Sequence, residues 1–129
     1  MADMGFRVEE VRGVQVVVAP EEIDIINADG LRVALLEAAA HGHGTLVADM
    51  TRTRFCDSAG LNALVAAHNR ARAEDGHVLL AISCTAVLRV FAITGVDRVI
   101  PNFASLDEAL DVALGQAPAY GSYPDPSTN

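Results

Sequence analysis

The chain has 129 residues, 51% of them apolar, and a net charge of −8 in which all nine basic residues are Arg. That is the size of one domain, with enough apolar residues for a core that needs no disulfide or metal staple. The acidic balance, without a basic cluster to offset it, argues against nucleic-acid binding, and the missing Lys removes Schiff-base chemistry and a phosphate-loop Lys.

Taken in chain order, Phe6, Val8 and Val11 alternate weakly, Arg12-Gly13 offers a turn, and Val14 to Ala19 is a β-branched run. This predicts an N-terminal β-hairpin. Pro20-Glu21-Glu22 breaks the second strand. Residues 27–40 have helical spacing, with Leu31, Leu35 and Ala38 on one side and Val33 and Leu36 broadening it. His41-Gly42-His43-Gly44 closes that helix. Residues 45–50 read as a short buried strand, and the polar run 51–54 leads into Phe55-Cys56.

From Ser58 to about Glu74 the spacing is helical again, with Leu61, Leu64, Val65 and His68 at i, i+3, i+4 and i+7. Asp75-Gly76 stops it, and residues 77–82 form the next strand. A third helix, capped by Ser83 or Thr85, carries Val87, Leu88 and Phe91 and ends at Gly95. Val99-Ile100 is expected to be a short strand before Pro101. Ser105-Leu106-Asp107-Glu108 is a capping box that opens a last helix through Leu114. Residues 1–114 thus read as one domain. Residues 115–129, rich in Pro, Gly, Ser and Tyr without periodicity, read as a disordered tail.

Strands alternating with helices predict an α/β fold: a mixed, mostly parallel sheet with an antiparallel edge from the hairpin, and about four helices. The loops 20–25, 51–58 and 83–85 each follow a parallel strand. All three should leave the sheet at the C-terminal edge, where open α/β sheets place their sites. Glu21, Glu22, Asp24, Asp57 and Ser58 can then share one surface.

Three readings of Ser58 are open: nucleophile, helix cap and modification site. A nucleophile needs a base within hydrogen-bond reach. His68 lies ten residues further along the same helix, about 15 Å along its axis. His41, His43 and His77 belong to the opposite edge of the sheet, and no G-x-S-x-G elbow occurs. His41 and His43 lack an obvious third metal ligand, and His68 reads as a core residue. No phosphate-binding glycine motif is present. No cofactor is expected, and the chain reads as having no catalysis of its own. Asp57 is the better helix cap because its carboxylate also suits the helix dipole. Ser58 then falls in the first turn with a free hydroxyl, among the small residues Ala59 and Gly60. Free amides at that helix start are expected to hold a phosphate placed there.

Cys56 and Cys84 form no disulfide framework and behave as small hydrophobes. The start of the chain lacks the pattern of a signal peptide, and no apolar run reaches about 18 residues. The expectation is a soluble, cytoplasmic protein without membrane contact.

The stretch TLVADMTRTRFCDSAGLNALVAAHNRARAEDGHVLLAI resembles the STAS domain of bacterial anti-sigma factor antagonists. It carries a V-x-D strand (Val47-Ala48-Asp49), an apolar pair (Phe55-Cys56) and D-S-x-G-L (Asp57 to Leu61). VLRVFAITGVDRVIPNFASLDEAL and PEEIDIINADGLRVAL are similar to further family segments, so the likeness covers roughly residues 6–114. The chain departs at Pro20 or Glu21, where the family usually has Gly, and at Cys56, where a larger aliphatic is common. The resemblance implies a switch. The Ser of D-S-x-G, here Ser58, is phosphorylated by a partner that is both anti-sigma factor and serine kinase. The unmodified form binds that kinase and so releases a sigma factor, and a metal-dependent serine phosphatase restores the free Ser. The implied docking face comprises Glu22, Asp24, Asp57, Ser58, Ala59, Gly60 and Asn62. Two other readings accompany this one. A scaffold subunit of a stressosome-like or transport-associated complex would self-associate. A small enzyme or ligand sensor would use the same sheet edge.

Overall fold

A computed structural model describes residues 6–41 and 45–115. The elements are β1 (Arg7–Val11), β2 (Val14–Val18), β3 (Glu22–Ile23), α1 (Ala28–His41), β4 (Thr45–Met50), β5 (Phe55–Cys56), α2 (Ser58–Ala73), β6 (His77–Ile82), α3 (Thr85–Thr94), β7 (Asn102–Phe103) and α4 (Leu106–Ala113), with a 3₁₀ turn at Val96–Arg98. The main sheet runs β1-β2-β4-β6-β7. β1 is antiparallel to β2, and every other neighbour in that sheet is parallel. The expected α/β architecture, with its hairpin edge and four α-helices, is the one observed.

Arg12 and Gly13 make the hairpin turn with φ of 53° and 83°. Two consecutive positive φ values are what a two-residue turn needs to match the strand twist, and Gly13 adopts its value without strain. Alternation then sorts the sheet. Val17, Leu46, Ala48, Met50, Val78, Leu80 and Ile82 face the core shared with α1, α2 and α3. Val14, Val16, Val18, Val47, Leu79, Ala81 and Phe103 face the other way and are covered by Ala109 and Leu110 of α4. Strands buried on both faces explain why 77–82 reads as a continuous apolar run rather than an alternation.

Three details differ from the sequence expectation. Val99-Ile100 is not a strand. The 3₁₀ turn carries the chain through it, with the amides of Val99 and Ile100 both donating to Val96 O. The strand lies beyond the proline, where Asn102 and Phe103 pair with Leu80 and Ala81. Pro101, which has no N–H, still accepts from Leu80 N through its carbonyl, so it opens the strand rather than following it. Neither Ser83 nor Thr85 caps α3; Cys84 is the N-cap residue and supplies no side-chain bond, while Ser83 Oγ donates to Ala104 O instead. Asp75-Gly76 ends α2 as expected, with Asp75 in the left-handed backbone at φ 66°. Residues 55–56, read as part of a loop, form a two-residue strand parallel to 22–23.

Ser105 Oγ accepts from Glu108 N at 3.1 Å, as the capping box predicts. Gly95 takes φ 84° and closes α3, also as expected. His43 and the tail residues 116–129 lie outside the described residues.

Candidate functional site

The C-terminal edge of β2, β4 and β6 is built by two chain segments that clamp each other. After β2, residues 20–23 run beside residues 53–56. Arg54 N and Phe55 N donate to Glu21 O at 2.8 and 3.3 Å, and Asp57 N donates to Ile23 O at 3.1 Å. Thr53 is fully buried because its hydroxyl donates to Pro20 O at 2.8 Å. Asp49, at the end of β4, accepts through Oδ1 from Thr51 N and Thr51 Oγ1, which turns the chain away from the sheet. The loops 20–25 and 51–58 therefore meet as the topology requires, and they aim the start of α2.

Asp57 caps α2. Its Oδ1 accepts from Ala59 N at 3.0 Å and from Gly60 N at 3.1 Å. Ser58 is the first helical residue, is exposed, and its hydroxyl bonds to no other described residue. The cap question is settled in favour of Asp57. One expectation fails as a result. The Ala59 and Gly60 amides are occupied by a carboxylate, and Leu61 N donates to Asp57 O, so these first-turn donors are not free for a phosphate on Ser58.

Gly60 is buried, and a Cβ there would lie 2.6 Å from Cys56 Sγ and 2.7 Å from Ile23 Cγ2. The glycine lets α2 start against the β3–β5 pair. Cys56 therefore occupies a place where a larger side chain would collide. Burial, with the Asp57 carboxylate as a second cause, pushes its thiol up to about 12, so it is a packing group and not a nucleophile. Cys56 and Cys84 are both free thiols.

Beside Ser58 lies an apolar surface that the sequence reading missed. Ile25 and Ile26 are each 79% exposed. A reciprocal brace holds them outward: Asp24 Oδ1 accepts from Ile26 N, Asn27 Oδ1 accepts from Asp24 N, and Asn27 Nδ2 donates to Glu22 O, all at 2.9 Å. Behind Ile25 a groove of about 400 Å³ runs between α1 and α2, walled by Ala28 and Arg32 on one side and by Ala59, Asn62, Ala63 and Ala66 on the other. The Ala59, Ala63, Ala66 spacing at i, i+4 and i+7 was the available signal. Of the sequence-predicted face, Glu22, Ser58 and Asn62 are exposed, Asp24, Asp57 and Ala59 are half-buried, and Gly60 is inside. Arg52 and Arg54 share a second depression with Glu21 on the same edge, so that edge carries both signs of charge.

No base is brought to Ser58 by the described residues. His68 is buried on α2 with Nδ1 unpartnered; its proton affinity is lowered by burial, then by Arg72 and His77. His41 Nδ1 lies 2.8 Å from Glu37 O at the far end of α1, and His77 begins β6 at the opposite edge. Among the described residues no cluster of three or more His, Cys, Asp or Glu could hold a metal, and no helix is long and apolar enough to cross a membrane.

These features define a single α/β domain that presents an exposed serine at a helix start on the C-terminal sheet edge. The sequence profile of the STAS domain matches residues 6–109. An anti-sigma factor antagonist from Mycobacterium paratuberculosis is 31% identical, with a TM-score of 0.76 over 84% of this chain and 92% of that one. The anti-sigma factor antagonist SpoIIAA in its unphosphorylated form is 24% identical, with a TM-score of 0.72 over 87% of this chain and 98% of that one. SpoIIAA from Bacillus in its phosphorylated form is 22% identical, with a TM-score of 0.63 over 83% and 97%. No functionally curated protein matches the chain. The chain belongs to the STAS-domain family of anti-sigma factor antagonists.

Proposed function

We propose that the chain is a phosphorylation-controlled binding module without catalysis of its own. Unphosphorylated, it binds an anti-sigma factor that is also a serine kinase and so releases a sigma factor. That kinase phosphorylates Ser58, binding weakens, and a metal-dependent serine phosphatase reverses the change. The observation that carries this reading is the division of labour at the head of α2: Asp57 caps the helix, which leaves the Ser58 hydroxyl exposed and bonded to no other described residue. A partner's active site can reach that hydroxyl without unfolding the helix. Glu22, Asp24, Asp57, Ala59 and Asn62 surround it as the docking face. Gly60 acts from beneath by setting the helix position. Ile25 and Ile26 extend the face and supply the apolar anchor that a stable interface needs at its centre.

The test is intact-mass analysis after incubation with ATP and serine-kinase anti-sigma factors of the same organism, with Ser58→Ala alongside. One added phosphate on the native chain and none on the variant is the expected result. Tight binding without phosphate transfer would refute the switch and retain the module. Neither binding nor transfer, together with self-association in native mass spectrometry, would favour the scaffold role.

A further inference from the structure

Three helices cover one face of the sheet, but among the described residues only the eight-residue α4 covers the other. Where α4 ends, a half-enclosed groove of about 250 Å³ opens at the edge where β4 and β6 begin. Its walls are Leu79, Pro101, Val112 and Ala113, and Thr45 and His77 stand at its polar end. Neither of those two side chains is hydrogen-bonded to another described residue. The groove is at the opposite edge of the sheet from Ser58.

The volume falls below the roughly 300–1,000 Å³ of sites that hold drug-sized ligands. An apolar slot with a polar end fits a single aromatic side chain that has a polar tip. The sequence has two tyrosines and no Trp, and both tyrosines, Tyr120 and Tyr123, lie in residues 116–129, directly after α4. The last turn of α4 is itself a wall of the groove, and the described chain ends two residues beyond that turn, at Gly115. An extended chain advances about 3.3 Å per residue, so Tyr120, seven residues past Ala113, has ample reach. Pro118, Pro124 and Pro126 restrict the undocked segment and so lower the entropy lost on ordering it. Asp125 is its only charged side chain, so docking buries little charge.

We propose that residues 116–129 dock on this groove of their own chain, with Tyr120 in the slot. Composition alone predicts no structure for the segment; a preformed groove provides the apolar contact the segment cannot make by itself. The docked segment would extend the cover that α4 begins and leave the Ser58 edge open.

Because every strong fluorophore of the chain lies in this segment, tyrosine emission reports on it alone. Acrylamide, being neutral, avoids repulsion by the acidic protein. Its quenching constant should be several-fold lower for the intact chain than for a synthetic peptide of residues 116–129, and independent of protein concentration. Thr45→Arg, or His77→Glu should that variant fold poorly, should restore the peptide's quenching while the circular dichroism spectrum stays native. The proposal is overturned by a quenching constant equal to the peptide's. It is equally overturned by protection that is lost on dilution, which would place a second copy's segment in the groove. Protection that survives both substitutions would place the segment elsewhere and also overturn it.

Discussion

Gly60 and Cys56 are packed so closely that a methyl group on the glycine would lie 2.6 Å from the cysteine sulfur. Ile23 closes the same gap from β3, with Cγ2 at 2.7 Å from that position. The first turn of α2 is thus seated directly on the β3–β5 pair. Gly60→Ala should cost about 1–3 kcal/mol through overpacking. For a domain of this size, that corresponds to a melting temperature lower by roughly 3–15 °C. Cys56→Ala removes one of the two colliding groups and should recover part of the loss, a non-additivity that a double-mutant cycle reads directly. A melting temperature unchanged by Gly60→Ala would show that α2 is free to shift away from the strands.

Asp57 caps α2 with one carboxylate oxygen and two backbone donors. Asp57→Ala should lower stability by about 1 kcal/mol, and Asp57→Asn by much less, because the amide oxygen can still accept. Under the proposed function, Asp57→Ala also frees amides that would then hold the phosphate on Ser58. Phosphorylated Asp57→Ala should therefore keep more affinity for the anti-sigma factor than the phosphorylated native chain, relative to each unmodified form. Isothermal titration of the four species checks this. Equal penalties in both backgrounds would mean that the cap plays no part in the switch.

The exposed isoleucines test the docking face apart from the serine. At 79% exposure each, Ile25 and Ile26 contribute little to the core, so Ile25→Asp and Ile26→Asp should leave the melting temperature within a degree or two. If they anchor a partner, each should weaken binding by about 1–3 kcal/mol, or roughly fivefold to 150-fold. Affinity unchanged in both variants would move the interface away from the groove between α1 and α2.

The long elements were legible because their burial is periodic. Strands 14–18, 45–50 and 77–82 lie inside two cores and so are dense in Val, Leu and Ala; α1 and α2 show their buried faces at helical spacing. The elements that were missed are held by backbone bonds rather than by pattern. β3 and β5 have two residues each, too few for any period, and their pairing depends on carbonyls such as Glu21 O and Ile23 O that no sequence rule addresses. Ile25 and Ile26 look like ordinary core residues in sequence. The Asp24–Asn27 brace holds them outward, and it works by side-chain bonds to backbone groups, Asn27 Oδ1 accepting from Asp24 N and Asp24 Oδ1 from Ile26 N. The capping role of Asp57 was legible from its chemistry, whereas its consequence, that the first amides are already taken, required the geometry.

His68 links stability to pH. It is buried on α2 with Nδ1 unpartnered, and burial, Arg72 and His77, in that order, hold its pKa below the ordinary 6.5. The unfolded chain therefore binds more protons at this residue than the folded one just below pH 6.5. Stability from this residue is then present above that pH and is lost as the pH falls. Urea midpoints measured from pH 7.5 to 5.0 should decline for the native chain and decline less for His68→Leu. Parallel declines would assign the acid sensitivity to other groups.

The size of the Ser58 effect follows from what surrounds it. With Asp57 already on the first-turn amides, a charge at position 58 faces outward with little compensation from the helix. A single charge about 6 Å from a partner carboxylate costs about 0.7 kcal/mol at the dielectric of water and about 3 at an effective value near 20. Ser58→Asp should thus weaken binding roughly threefold to a hundredfold. A phosphate of about −1.5 to −2 charge approaches twice that energy, so its penalty approaches the square of the factor. The fold should not respond, since Ser58 is exposed and bonds to no other described residue. Phosphoserine more than tenfold worse than Ser58→Asp, with superimposable circular dichroism spectra, is therefore the expected pattern at the strong-coupling end. An equal small loss from both, together with an equal loss from Ser58→Asn, would instead mean that steric fit, and not charge, controls the interface.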